Sequence, residues 1–170
     1  EHVQKLSAMV KRYEPRTLSV QQETRVSGIE ALLIDEDLRP CIVGERTNVL
    51  GSRRFRTLIS KDAFEEASEI GRAQVRNGAH ILDVCLQDPD REEIDDMTDF
   101  LGFLTRKVKA PIMVDSTDHN VIEQALQMLQ GKSIINSINL EDGEARFEQV
   151  VPLAKRYGAA LVVGCIDDDP

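Results

Sequence analysis

The residues of this chain best placed for chemistry are acids and amides that end short apolar runs. Pro111-Ile112-Met113-Val114 leads into Asp115, and Ser116 and Thr117 follow. The grammar recurs: Cys41-Ile42-Val43-Gly44-Glu45 leads to Asn48, Ile81-Leu82 to Asp83, Ser133-Ile134-Ile135 to Asn136, and Ala160 to Ile166 leads to Asp167. A short apolar run bounded by turn residues reads as a strand buried on both faces. An ionisable group at the carboxyl end of such a strand stands where α/β folds place their ligand chemistry. Asp83, Asp115 and Asn136 follow their apolar residues directly, before any capping position, so they must find partners or a ligand. A rim of carboxylates and amides suits a flat heterocycle rich in donors. The 2-amino-4-oxo pyrimidine edge of a pterin offers adjacent N–H groups that one carboxylate accepts in parallel, which gives orientation as well as energy.

One cluster of cations follows the first strand. Arg46, Arg53, Arg54 and Arg56 cluster after the first strand of an otherwise acidic chain. They read either as a solvated loop and helix start or, for Arg46 and Arg53, as a site for an anionic tail that suits the guanidinium fork. Cys41, Cys85 and Cys165 lack CxxC spacing and read as buried small hydrophobes rather than metal ligands. His80 and His119 stand alone and read as structural or exposed. No metal site is expected.

The bulk properties bound the answer. The chain has 170 residues, 41% hydrophobic and 30% charged, which fits one globular domain with an attached segment. Its net charge of −9 argues against nucleic acid as a partner, because that binding rests on phosphate neutralisation. No apolar run approaches the ~18 residues of a membrane span. An odd cysteine count without a disulfide framework points to a reducing cytoplasm.

The elements that must position the polar tips are strands alternating with helices. Residues 1–14 form a helix with Val3, Leu6, Met9 and Val10 on one face, and residues 15–38 form a linker. From 39 onward the unit is strand, polar tip, helix. The first helix is signalled by the Asp62/Glu65 capping box and closes at Gly78. The second opens at Asp88-Pro89. The third runs from Ser116 or Thr117 to Gly131. The fourth follows Asp142, ends at Gly158 and contains Pro152, which should weaken or kink it.

Such alternation demands a parallel sheet with right-handed crossovers. The tips recur roughly every 30 residues, the repeat of a (β/α)8 TIM barrel, of which about five strands fit here. A doubly wound open sheet is the competing architecture. A dinucleotide fold is disfavoured because no GxGxxG follows the first strand. Gly131-Lys132-Ser133 has Leu126 where a P-loop needs its first glycine, and it precedes a strand. A receiver-like phosphoacceptor module would need an acidic pair after the first strand and a lysine after the fifth, and the chain has neither.

Together the motifs carry a family resemblance. Gly44-Glu45-Arg46-Thr47-Asn48-Val49-Leu50-Gly51-Ser52, Ile81-Leu82-Asp83-Val84, Met113-Val114-Asp115-Ser116-Thr117, Gln130-Gly131-Lys132-Ser133-Ile134-Ile135-Asn136-Ser137-Ile138 and Tyr157-Gly158-Ala159-Ala160 occur in order over residues 39–170. They resemble the methyltetrahydrofolate-binding, pterin-binding barrel of the cobalamin-dependent methionine synthase family. Residues 1–14 resemble the last helix of the homocysteine-binding barrel that precedes this module, and 15–38 the connection between the two. The resemblance implies a barrel, cut on its C-terminal side, that binds methyltetrahydrofolate as substrate and presents its methyl group to cob(I)alamin. Its partners would be the cobalamin-binding and homocysteine-binding modules of the same enzyme, with zinc only in the latter. Glu45, Asp115 and Asn136 match the pterin contacts, with Asp83, Asn48 and Asp167 after them; Asn136 is the candidate catalytic residue. Family members continue Asp-x-Asn after the second strand, whereas this chain has Asp83-Val84-Cys85-Leu86. The alternatives are another pterin barrel such as dihydropteroate synthase, or the receiver-like module.

Overall fold

The computed structural model describes residues 1–15, 17, 23–141 and 143–167. Its centre is a five-stranded parallel sheet: β3 (Val43–Asn48), β4 (Ile81–Cys85), β5 (Ile112–Asp115), β6 (Ile134–Leu140) and β7 (Ala160–Asp167). The spatial order is β3-β4-β5-β6-β7, the order of the chain. A doubly wound sheet reverses direction at a switch point, whereas a barrel adds each unit beside the last. The fold is therefore five consecutive strands of a (β/α)8 barrel. The consecutive order also removes the receiver-like alternative, whose strands run 2-1-3-4-5.

Between the strands lie α2 (Arg53–Ile59), α3 (Phe64–Arg76), α4 (Glu93–Leu104), α5 (His119–Met128) and α6 (Ala145–Tyr157). Residues alternate across each strand with a period of two. Leu82, Val84, Ile112, Val114 and Ile135 join the core under the helices, where Phe55 and Phe100 meet edge to face at 5.0 Å. Ile81, Met113 and Ile134 belong to a second apolar cluster. Two residues further along each strand come Asp83, Asp115 and Asn136. One pleat thus carries an apolar layer at the amino end and a polar layer at the carboxyl end.

The apolar layer is closed from below by a hairpin within the stretch read from sequence as a linker. β1 (Thr24–Ser27) pairs antiparallel with β2 (Ala31–Ile34). Val26, only 2% exposed, packs with Ile81, Met113 and Ile134. Ser27 fastens the hairpin: its N–H donates to Lys132 O at 2.9 Å, and its Oγ accepts from Lys132 N at 2.8 Å. Gly131 makes that approach possible. Its φ is +74°, and a Cβ there would lie 2.4 Å from Gly28 O. The glycine of Gly131-Lys132-Ser133 is thus a docking point for the floor.

Helix starts differ from the sequence expectation in three places, each through local competition. Asp62 does not cap α3, which starts at Phe64 behind Ala63; Asp62 sits at φ +54° and accepts from Arg91 Nη2 at 2.6 Å. Asp88 holds an Asx-type turn by accepting from Asp90 N, so α4 starts only after Glu92. α5 is capped by Asp118, whose Oδ1 accepts from Asn120 N at 2.8 Å, not by Ser116 or Thr117. It also stops at Met128, before Gly131. α6 ends at Gly158 in the left-handed conformation, as its sequence predicts, and remains one helix through Pro152. Asp142 lies outside the described residues. α1 (His2–Val10) buries no residue, leaving Val3, Leu6, Met9 and Val10 exposed.

Candidate pterin site

The polar layer converges. Asn48 Nδ2, at the end of β3, donates to Asp83 Oδ2 and to Asp115 Oδ2, each at 3.1 Å. Asn136 Nδ2 donates to the other oxygen of Asp83 at 3.3 Å. Asp115 and Asn136 are register partners on β5 and β6. Asp83 is 2% exposed, beneath them, with both carboxylate oxygens taken by amides. Asn48 Oδ1 accepts from Leu50 N and Gly51 N, which fixes the amide and aims its nitrogen at the two acids. Thr47 is buried, and its Oγ1 donates to Asp83 O at 2.6 Å.

Electrostatics separates the members. Burial pushes the Asp115 carboxyl up to about 6; the Asp83 charge adds to this, the Asn48 amide opposes it, and Glu93 and Glu45 contribute further. Asp83 is also raised, first by burial, against the two amides that stabilise its ionised form. Glu45 is exposed on β3, and its charge adds to the upward push on both aspartates. Cys85, at the carboxyl end of β4, is 1% exposed, and burial pushes its thiol up to about 12.

Two residues from helix starts rather than strand tips join the cluster. Glu93 opens α4 and is raised by burial beside Ser116; its Oε1 is buried without a partner among the described residues. Arg146 donates through Nη2 to Ser116 O and through Nη1 to Thr117 O, both at 2.7 Å, and through Nε to Ser137 O at 3.3 Å. Its position hinted at a task. A cation in the first turn of a helix opposes the macrodipole and needs another reason to be there.

Asp115, Asn136, Thr117, Ser137, Asn139 and Arg146 line a cleft of about 260 Å³ at the carboxyl end. Arg46 and Arg53 lie elsewhere, in a hollow of about 480 Å³ with Arg54 and Gln74 on the flank of α3. The main chain of Asp167 pairs with Leu140, while its side chain lies outside the described residues. Among the described residues no group of three or more His, Cys, Asp or Glu is arranged to hold a metal, and no helix is long and apolar enough to cross a membrane. His80 is structural: its Nδ1 accepts from Ile42 N at 3.0 Å.

A parallel α/β barrel with acids and amides gathered at the carboxyl ends of its strands defines a small-molecule-binding barrel. The family model for pterin binding enzymes matches residues 44–170, and the chain belongs to that family. It is also 34% identical, over 172 aligned residues, to the methionine synthase of Mycobacterium tuberculosis (strain ATCC 25618 / H37Rv). That alignment takes in 99% of this chain and 14% of the relative, so the chain spans about one-seventh of the relative's length.

Proposed function

We propose that this barrel binds methyltetrahydrofolate and presents its methyl group for transfer to cob(I)alamin carried by another module, as one step of methionine synthesis. The observation that carries the reading is the clustering of Asp115, Asp83, Asn48 and Asn136 at one rim. Asp115 has one oxygen engaged by Asn48 and, among the described residues, no donor on the other. Ionised at neutral pH, it accepts the adjacent N–H groups of the pterin edge. Asn136 holds its Nδ2 on Asp83, leaving Oδ1 as an acceptor toward the cleft. Glu45 and Asp167 join this assignment as further contacts. The anionic tail is assigned to Arg46 and Arg53 in their separate hollow on the flank of α3.

Methyl transfer from the tertiary amine N5 requires that nitrogen to be protonated, because the neutral amine leaves far more readily than the anion. Asn136 serves this step by accepting a hydrogen bond from protonated N5 or, after releasing Asp83 and rotating, donating one to the neutral amine. The amide follows protonation without titrating. Cobalamin supplies the nucleophile from its own module, and homocysteine and zinc belong to a further module. The likeness to a methionine synthase supports this reading over dihydropteroate synthase, whose diphosphate-activated pterin calls for a phosphate-holding mouth.

The test is calorimetric titration with methyltetrahydrofolate, followed by methyl transfer to free cob(I)alamin. Asn136→Ala should slow transfer about a hundredfold while weakening binding less than tenfold. Equal losses would make Asn136 a binding residue only. Uptake of a pterin diphosphate with p-aminobenzoate, and none of methyltetrahydrofolate, would move the chain to the synthase alternative.

A further inference from the structure

Arg146 is the largest unexplained investment in the mouth. A guanidinium loses hydration on burial, and that loss holds Arg146 below the usual arginine range, against the pull of Asp115 and Asp118. Such a group needs dense compensation. Among the described residues it makes no salt bridge within 4.0 Å; its described hydrogen bonds go to three main-chain carbonyls. The choice of carbonyls is informative. Ser116 and Thr117 follow Asp115, and Ser137 follows Asn136. One planar fork therefore grips the chain immediately after both pterin-facing residues, and it does so from a third element, α6.

Its charge has a second consequence. Asp115 is faced by Asp83 and the Cys85 thiol from β4, Glu45 and the neutral Asn48 from β3, and Glu93 from α4, none of which carries positive charge, while Arg146 lines the same cleft from α6. Electrostatic coupling is reciprocal: if Asp115 stabilises the Arg146 cation, the cation stabilises the Asp115 anion by the same amount. We infer that Arg146 is the positioning residue of this mouth, stapling the loops after β5 and β6 and supplying the positive charge that keeps Asp115 ionised. The inference deepens the pterin reading and rests on it for the ligand. It does not rest on it for the geometry. Lysine keeps the charge but cannot make the fork, and methionine keeps the bulk but neither property.

Three proteins separate these roles: the unmodified chain, Arg146→Lys and Arg146→Met. Asp115 is titrated by carboxyl-carbon NMR, amide exchange is followed at residues 116–118 and 137–139, and methyltetrahydrofolate affinity is measured between pH 5.5 and 8. In R146M the Asp115 titration moves up by about one unit, which at pH 6 lowers affinity about fivefold beyond the loss seen at pH 8. In R146K the titration stays near the unmodified midpoint, while affinity falls about evenly across pH and exchange at both loops accelerates. An R146M titration identical to that of the unmodified chain overturns the electrostatic role. An R146K protein with unchanged exchange and affinity overturns the staple, and decides the matter if R146M fails to fold. If the unmodified chain does not bind methyltetrahydrofolate, the functional proposal falls, while NMR and exchange still test Arg146.

Discussion

Asp83 and Asp115 share one donor: the Asn48 amide nitrogen lies 3.1 Å from an oxygen of each. Two carboxylates brought together under partial burial repel, and one of them gives way by gaining affinity for a proton. Here the division is structural. Asp83 is the deeper acid, and an amide on each oxygen opposes the upward push of its burial. Asp115 has a single amide donor, and its carboxyl is pushed up to about 6. The buried acid has both oxygens engaged, and the rim acid keeps one oxygen without a donor among the described residues.

Asn48→Ala removes that shared donor and also the acceptor for Leu50 N and Gly51 N. Thermal or urea unfolding should show a loss of about 1–3 kcal/mol, the range for unsatisfied buried polar groups. Affinity for methyltetrahydrofolate at pH 7 should fall at least tenfold. Affinity within twofold of the unmodified protein would mean that the Asp83–Asp115 pair needs no common donor.

Asp115→Asn separates stability from function. The folded carboxyl titrates near 6 against an unfolded value of 3.8, so the native state holds the proton more tightly. Stability from this group is fully present below about pH 3.8 and is lost as pH rises through about 6. The asparagine variant escapes that loss. It should be more stable than the unmodified chain by about 1 kcal/mol at pH 8 after discounting for solvent screening, with no advantage at pH 3.5. Methyltetrahydrofolate binding should nevertheless drop more than tenfold at pH 8. Unchanged affinity would remove Asp115 from the site.

The pleat explains why much of this site is legible in the sequence. A period of two converts Ile81-Leu82-Asp83, Met113-Val114-Asp115 and Ile134-Ile135-Asn136 into one apolar and one polar layer, so strand tips can be read without coordinates. Arg146 and Glu93 are different. They reach the mouth from helix starts, and no local pattern says which rim a helical side chain overhangs. The hairpin was hidden for a related reason: Val26 is buried by Ile81, Met113 and Ile134, all distant in sequence. Helix starts at Asp62 and Asp88 misread because an acid before a helix can hold its own turn or an arginine instead. Arg46 and Arg53 do come together, on the flank of α3, a placement their clustering alone does not specify.

Pro152 stands inside α6 and is exposed, with Leu153 and Ala154 buried beside it. An interior proline removes one helical hydrogen bond and crowds the preceding turn, at a cost near 3 kcal/mol in an isolated helix. Since the ring contributes little burial, Pro152→Ala should stabilise the chain by about 1–2 kcal/mol, part of the cost having been relaxed by the fold. Denaturant midpoints measured with unchanged m-values would check this. A destabilised variant would show that the proline ring holds a contact the exposed surface conceals.

The floor gives the sharpest separation of fold from site. Gly131→Ala forces an L-residue to φ +74° and drives its Cβ toward Gly28 O and Ser27 Oγ, at 2.4 and 2.5 Å. Neither neighbour can retreat cheaply, because Gly28 O is main chain and Ser27 Oγ is bonded to Lys132 N. The substitution should cost about 3 kcal/mol or more, the left-handed backbone and the clash adding together. Val26→Ala opens a cavity against Ile81, Met113 and Ile134 and should cost roughly 2 kcal/mol. Both act at the amino end, one apolar layer below the carboxylates. At temperatures where each variant stays folded, the Asp115 titration should match that of the unmodified chain, while amide exchange at residues 24–34 accelerates by an order of magnitude or so. A displaced Asp115 titration in Val26→Ala would show instead that the floor sets the height of the polar layer, because removing two methyl groups beneath Met113 lets β5 settle and carries its acid with it.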